Sequence, residues 1–558
     1  MYPQKLKLGL LLDSFFVPSW LYYSLNRILN SNYAQFSVII LNNAEQKENT
    51  TSWFNKLWGN KKKVAYEIFN KIDEKLFTRE PNAFKMMDIQ KLLSTTALVS
   101  VKPIRNGDSD IFNPEDVEKI RNFDLDILVK AGFGKLQAEI LSSAKYGVWF
   151  YDHSDNQLNR GEPPGFWEVV ESWPETGATL SIAHENPQRG QAVYRSRFLT
   201  YPFSPARNRN VQFWASASFL PRQIELLHYL GETEFFKEIA RFNREFDFYD
   251  HRQFQVPSNF ESLKLYSRLL LRQLYEIYER KFHQETWYLM YKFDKSTDLS
   301  FGTFNKIVPP KDRFWADPHV IQNDGNLYIF VEEYLYKTGK GHISVIEMNS
   351  SGQYKDPVPV IKEDYHLSYP YVFEYKNKYY MVPESAQNNT IDLYECDDFP
   401  NNWKFKMTLM KNVKAVDTTI FFYQDKWWLF TGMAENEGAF PEVELFLFYS
   451  DELFTTDWIS HPLNPVISDV SSARPAGKLF IKNGKVYRPS QDCSKSYGYG
   501  FNINEVLCLT ETEYLEKKVS EVKPNWDKRL IATHTFTSTE TFVIIDGLTR
   551  HSKFIKAQ

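Results

Sequence analysis

Cysteine is scarce: Cys396, Cys493 and Cys508 are isolated thiols with no Cys-x-x-Cys pair. They are too few and too scattered for a disulfide framework, and they suit a reducing compartment. The histidines lack metal-ligand spacing, so no metal centre is expected. No apolar run is long enough to span a bilayer. The opening run, Lys5-Leu-Lys-Leu-Gly-Leu-Leu-Leu-Asp13, breaks at Asp13 with no small-residue cleavage site after it. It therefore reads as a buried first strand rather than a secretion signal. Long basic runs are missing and the net charge is −4, which counts against nucleic acid as a partner. No Walker motif occurs, and Gly132-Phe-Gly134 is too little for a phosphate loop. These absences describe a cytoplasmic protein without a transmembrane segment. They leave its oligomeric state open.

What is abundant is aromatic. Fourteen Trp, 33 Tyr and 44 Phe supply faces that stack on sugar rings as well as an aromatic β core. Many fall within a phrase that recurs down the second half of the chain. It reads Trp315-Ala-Asp317-Pro-His-Val, then Tyr369-Pro-Tyr-Val-Phe, then Val416-Asp417-Thr-Thr-Ile-Phe, then Arg474-Pro-Ala-Gly-Lys-Leu-Phe. A short polar turn and an aromatic strand follow each, as in Asn326-Leu-Tyr-Ile-Phe and Lys426-Trp-Trp-Leu-Phe. Units about fifty residues long built of short strands predict β-propeller blades. A further unit starts near His534, which makes five blades. Because first strands line the channel of a propeller, Asp317 and Asp417 are expected to converge.

Three regions follow. Residues 1–205 alternate strand and helix patterns: strands at Leu6–Leu12, Phe36–Leu41, Asp126–Lys130 and Tyr146–Tyr151, with helices at Trp20–Ile28 and Leu136–Leu141. This rhythm predicts an α/β domain with an open, mainly parallel sheet. Residues 44–95 read as a polar, helix-prone insertion. Residues 206–285 form a helical connector, with apolar positions three and four apart in Arg222–Leu230 and Ser262–Leu274. Residues 286–558 are strand-dominated.

Within the first region, Leu125-Asp-Ile-Leu-Val, Gly132-Phe-Gly, Gly147-Val-Trp-Phe-Tyr-Asp-His153-Ser, Asn159-Arg160-Gly161-Glu-Pro163 and Thr176-Gly177-Ala-Thr-Leu stand in order. Together they resemble the formyltransferase family that uses 10-formyltetrahydrofolate, which implies a Rossmann-like fold. That chemistry needs a His to handle the amine proton, an Asn for the oxyanion and an Asp to orient the His. His153 matches the family's histidine. Tyr151 stands where the Asn belongs and Gln188 where the Asp belongs, and the loop from His153 to Arg160 is one residue short. Gln188 cannot stabilise an imidazolium as a carboxylate does. The cofactor is implied only if this altered site is active. Otherwise His153, Asp155, Asn156 and Arg160 form a polar cluster at a strand end, where open α/β sheets bind ligands. A sugar or nucleotide-sugar site and a solvated loop are the alternatives there.

In the propeller region Asp317 and Asp417 open blades, and Glu384 ends Tyr379-Tyr-Met-Val-Pro-Glu384. Glycoside chemistry needs two carboxyls across the scissile bond, so these three are the candidate catalytic residues of this half, beside His153. They serve equally as hydroxyl-binding groups or turn caps. Trp315, Tyr369, Arg474, Gln491 and Asp492 are candidate sugar contacts. An Arg near the funnel either grips a phosphate or carboxylate or ties neighbouring blades together. Ala-Asp317-Pro and Val-Asp417-Thr resemble signatures of five-bladed propeller glycosidases. More of the region, including Arg313-Phe-Trp-Ala-Asp-Pro, His366-Leu-Ser-Tyr-Pro and Ala473-Arg-Pro-Ala-Gly, resembles the propeller accompanying glucosamine inositolphosphorylceramide transferases. Nothing resembles their glycosyltransferase domain, and Asp108-Ser-Asp110 sits in a polar loop rather than in a nucleotide-sugar site. The resemblance implies a carbohydrate context.

Three functions are therefore open. The first is a sugar-active enzyme of surface-glycan or glycolipid assembly. The second is an N-formyltransferase acting on an amino sugar, and the third is a glycan-binding module without chemistry.

Overall fold

The computed structural model describes residues 4–43, 63–154, 160–185, 191–243, 253–293 and 304–553. Contacts divide the chain into two units, residues 1–272 with 436–439, and residues 273–435 with 440–558.

The first unit is built on a seven-stranded sheet. Its order is Gln191–Leu199, Glu175–Ile182, Val148–Asp152, Ile127–Lys130, Leu6–Leu12, Ala34–Asn42, Ala97–Val101. The last five strands are parallel and the first two antiparallel. The central strand Leu6–Leu12 is buried along most of its length, as an uninterrupted leucine run requires when both faces are covered. The chain winds outward from it on one side, then returns to Ile127–Lys130 on the other. Helices Pro205–Ser216 and Phe219–Phe242 belong to this unit. The stretch expected as a helix at Leu136–Leu141 is instead strand Lys135–Gln137 and a five-residue 3-10 turn, Ala138–Ser142. Pairing of Lys135–Gln137 with Ser109–Ile111 draws its first residues into a small sheet. Of the insertion expected at 44–95, residues 44–62 lie outside the described residues, and Val64–Phe77 is a helix.

Among the described residues, the second unit consists of five antiparallel sheets. Four follow chain order, opening with Arg313–Asn323, Ser368–Tyr375, Ala415–Tyr423 and Phe480–Lys482. The first hairpin of each turns on two residues of positive φ: Asp324-Gly325, Lys376-Asn377, Gln424-Asp425 and Asn483-Gly484. That is the two-residue turn whose twist matches paired strands, and it accounts for the polar pair before each aromatic strand. The fifth sheet joins both ends of the unit. His283–Phe293 pairs with Phe542–Ser552 along its whole length, and Asn305–Ile307, Leu530–Ala532 and Phe536–Ser538 complete the sheet.

Hydrogen bonds run around the ring. Tyr369 N donates to Asp317 Oδ2 at 3.2 Å between the first and second sheets. The Tyr369 hydroxyl and Thr419 Oγ1 lie 2.9 Å apart between the second and third. Arg474 donates to Asp417, and Phe536 N to Ala476 O at 2.7 Å. Thr537 Oγ1 donates to Pro318 O at 2.9 Å, which returns the ring to its start. Five sheets in cyclic contact through their first strands make a five-bladed β-propeller.

The fourth blade carries a fully buried cation. Arg488 is 0% exposed and donates to both Glu516 oxygens at 2.7 Å and to Ser472 O at 2.7 Å. Removing one partner of such a pair strands the other charge in a dry interior. Arg488→Met is expected to cost about 3–5 kcal/mol, and Arg488→Met with Glu516→Leu to recover most of it. Urea unfolding of the three proteins checks this.

Candidate functional site

The first strands of three blades break their ladders at one position. Asp317, Tyr369 and Asp417 have φ of 52°, 41° and 51°. Each sits at a register shift, between Ala316 and His319, Ser368 and Tyr371, and Val416 and Thr419. A left-handed backbone is costly for residues other than glycine, above all for a tyrosine. Repeated three times, it is a built bulge that re-aims a side chain away from its sheet.

What the bulges bring together is a chain of buried charges. Asp317 Oδ1 lies 3.0 Å from His534 Nε2, whose Nδ1 lies 2.8 Å from Asp546 Oδ2. Thr535 Oγ1 also donates to Asp317 Oδ1, at 3.0 Å. Asp546 Oδ1 accepts from the backbone N–H groups of His534 and Thr535 at 2.8 and 3.1 Å. Burial alone would lower the His534 pKa, but the charges of Asp546 and Asp317 lift it to about 10. Burial would raise Asp317, and the bond and charge of His534 bring it down to about 2. The three ligand atoms lie within 4.8 Å of one another, the spacing a metal would use. An imidazolium between two carboxylates accounts for the group as an ion-pair relay.

The second cluster centres on Arg474. Its guanidinium donates to both Asp417 oxygens, to Glu384 Oε2 at 3.3 Å and to Glu442 Oε1 at 3.3 Å. The Tyr497 ring lies 5.0 Å away. Gln491 Nε2 donates to Asp417 Oδ2 at 2.7 Å. Asp417, Glu384 and Glu442 all accept from Arg474, so it organises the cluster and ties the third blade to the fourth.

The carboxyls left with spare capacity are glutamates on second strands. Burial, then the charge of Asp417, holds Glu384 well above the usual range despite Arg474. Burial, then the charge of Asp317, does the same for Glu332. Glu332 Oε1 lies 3.4 Å from His366 Nε2. Gly341 N donates to His366 Nδ1 at 2.9 Å, so the proton of the neutral ring sits on Nε2 and faces Glu332. A side chain at Gly341 would meet Glu332 Oε1 at 2.7 Å, which is why the residue there is glycine. Next to it, Glu333 faces the other way. Burial raises it, but bonds from His342, Ser344, Arg313 and Trp315 bring it down to about 2.

The candidates read from sequence thus separate. Asp317, Asp417, Glu384, Arg474 and Gln491 belong to these clusters. Tyr369 is 0% exposed and packs edge-on to His319 at 4.6 Å, so its ring is wall rather than stacking platform. Trp315 lies in the blade core with its indole N–H on Glu333. Asp492 accepts from Ser494 N and closes a turn. Sequence reasoning missed Glu332, His366, His534, Asp546 and Glu442. Glu332 was findable: it pairs with Ala316 as Glu384 pairs with Ser368, each opposite the residue before a bulge.

In the first unit, His153 lines a cavity of about 210 Å³ with Trp20, Lys130, Phe150 and Tyr151. It stacks on Phe213 at 3.7 Å, its Nε2 is 2.8 Å from Ser216 Oγ, and burial drops it to about 3. A base that weak is mismatched to an amine proton. The Tyr151 hydroxyl accepts from Leu220 N at 3.0 Å, so it is already engaged. Asp155, Asn156 and Gln188 lie outside the described residues, as does the Arg160 side chain.

Comparison with known proteins places the similarity in the second unit. The family described as Glucosamine inositolphosphorylceramide transferase 1, N-terminal, matches residues 305–534. The chain is 34% identical over 210 residues to Glucosamine inositolphosphorylceramide transferase 1 of Oryza sativa subsp. japonica, covering 37% of this chain and 28% of that protein. The Arabidopsis thaliana protein of that name is 32% identical over 209 residues, covering 37% and 27%. The chain thus spans little more than a quarter of the length of these relatives. Among solved structures, Zg3597, a family 117 glycoside hydrolase of Zobellia galactanivorans, aligns with 13% identity over 49% of this chain and 93% of that one, at a TM-score of 0.32. The catalytic domain of a Coprinopsis cinerea GH62 alpha-L-arabinofuranosidase aligns with 12% identity over 44% and 95%, at 0.34. Scores this low carry no argument. The formyltransferase resemblance of residues 124–193 rests on its motifs alone.

The ion-pair relay has a pH signature. His534, raised from 6.5 to about 10, contributes stability that is full below 6.5 and lost as pH rises through about 10. Asp317, lowered from 3.8 to about 2, contributes stability present above 3.8 and lost as pH falls through about 2. Scanning calorimetry across pH should show both limbs. In His534→Gln the alkaline limb should flatten and the melting temperature drop throughout.

Proposed function

We propose that the propeller recognises a sugar in its channel, as part of glycan or glycolipid assembly. The observation that carries this reading is the pair of second-strand glutamates, Glu332 and Glu384, each opposite the residue before a bulge and raised by burial well above the usual carboxylate range. A neutral carboxyl both donates and accepts hydrogen bonds, which suits adjacent sugar hydroxyls. Similarity to the N-terminal part of transferases named for glucosamine inositolphosphorylceramide supports a sugar or nucleotide-linked sugar as the ligand. Three unpaired thiols favour a cytoplasmic setting.

An enzyme reading has one observation of its own. Glu332 is a buried carboxyl raised well above its usual range, with the His366 Nε2–H at its edge, and a raised carboxyl is what a general acid needs before it protonates a departing glycosidic oxygen. Its base would not be Asp317. That carboxylate accepts from His534, Thr535 and Tyr369, and at about 2 it holds a proton too weakly for base catalysis.

Calorimetry with nucleotide-linked amino sugars and glucosaminyl-inositol headgroups tests both readings. Wild-type binding should weaken roughly tenfold in Glu332→Leu, the loss of about one hydrogen bond. It should survive in Glu332→Gln, which keeps a donor and an acceptor. If turnover of a bound glycoside is found, Glu332→Gln should lower it about 10²–10⁴-fold. Turnover absent throughout would leave a recognition module. No binding of any of these sugars, or full binding by Glu332→Leu, would sink the proposal.

A further inference from the structure

Helix Asn259–Phe282 is apolar on two sides. Leu265 and Leu269 are 2% and 1% exposed and face inward. On the other side Phe260, Leu263, Leu270, Leu274 and Ile277 are 53–83% exposed. They follow one another in steps of three and four, with Ser267 at the one intermediate place. That is the period by which one helix seats against another. Leu271 and Tyr278 widen the face, at 66% and 49% exposure.

Helix Val64–Phe77 extends it. Phe69 stacks on Tyr266 with centroids 3.6 Å apart, and Ala65 N donates to Asn259 Oδ1 at 2.9 Å. Ile68, Ile72 and Leu76 on this helix are 43%, 52% and 68% exposed. Side chains of this size and exposure present on the order of 1,000 Å² of apolar surface, where a monomer rarely shows more than about 300–600 Å² in one patch. A stable dimer needs about 800 Å² from each partner.

We propose that this face is the seam of a two-fold dimer, with helix Asn259–Phe282 packed antiparallel against the same helix of a second copy. Parallel pairing would set Lys264 and Arg268 against their own copies. Antiparallel pairing about Leu270 and Leu271 sets Lys264 opposite Ile277 and Arg268 opposite Gln273, away from their own copies. A bilayer would also accept an apolar face bordered by Lys and Arg, but it selects no three-and-four spacing.

The full chain should sediment as a dimer at micromolar concentration. Leu270→Glu with Leu274→Glu should raise the dissociation constant at least about a hundredfold, since two carboxylates would be buried unpaired at the axis, with far-UV circular dichroism unchanged. Leu271→Cys in a Cys508→Ser background should cross-link to its own copy on mild oxidation, which keeps the test valid should the double glutamate variant misfold. A monomeric wild-type chain, an undiminished dimer in the folded glutamate variant, or no cross-link would overturn the dimer. So would a monomer that co-sediments with phosphatidylserine vesicles through this face, which would then belong to a lipid surface.

Discussion

The propeller depends on a constraint at its axis: five first strands approach one another, and buried charges join several of them. Asp317 ties the first blade to the second and fifth, and Asp417 with Arg474 ties the third to the fourth. A buried ion pair gains little over a well-packed apolar one, but a broken one is costly. Such a ring therefore enforces correct assembly more than it adds stability. The strained bulges at Asp317, Tyr369 and Asp417 fit this picture, since a flat ladder would leave these side chains against their own sheets.

This division of labour separates the blade-opening aspartates from the second-strand glutamates. The aspartates that open the blades are the most visible acidic residues of the repeat, yet their oxygens are spent on neighbouring blades. On the second strands, Glu332 and Glu384 sit opposite the residues preceding the bulges, and burial raises both well above the usual carboxylate range. The charge of Asp317 has two effects from one position. It helps keep His534 protonated, and it discourages ionisation of Glu332.

Much of this architecture was legible in the residues. The repeated phrase marked the first strand of three blades and, in the fourth, ended at Phe480 where that strand begins, and the polar pair after each marked the hairpin turn. The pairing of Arg474 with Asp417 is the blade tie that was one of two readings of that arginine, while Asp317 sits in the neighbouring cluster with His534. What could not be read was any bulge, because a one-residue slip leaves no mark in a strand whose two faces are both buried. His534 and Asp546 escaped for a related reason. The first strand of the fifth blade is interrupted between Ala532 and Phe536, so it carries no clean alternation to align. Trp315 and Asp492 have the residue types of sugar contacts, but the indole is needed inside the blade and the carboxylate at a turn. In the first unit the leucine-rich strands were plain. The Leu136–Leu141 segment has helical spacing but is claimed by pairing with Ser109–Ile111.

The fifth blade, made from the two ends of the propeller unit, also sets the order in which the molecule comes into being. Strand His283–Phe293 has no complete sheet to join until Phe542–Ser552 has been synthesised. Pairings so far apart in sequence are slow to form, because loop entropy must be overcome before any contact repays it. During translation the first four blades can fold as each emerges, while His283–Phe293 waits with an unpaired edge. The axial cluster needs His534 and Asp546 as well as Asp317. The axial cluster is therefore the last part of the propeller to exist, and a chain stopped short of its final strand would carry four folded blades without it.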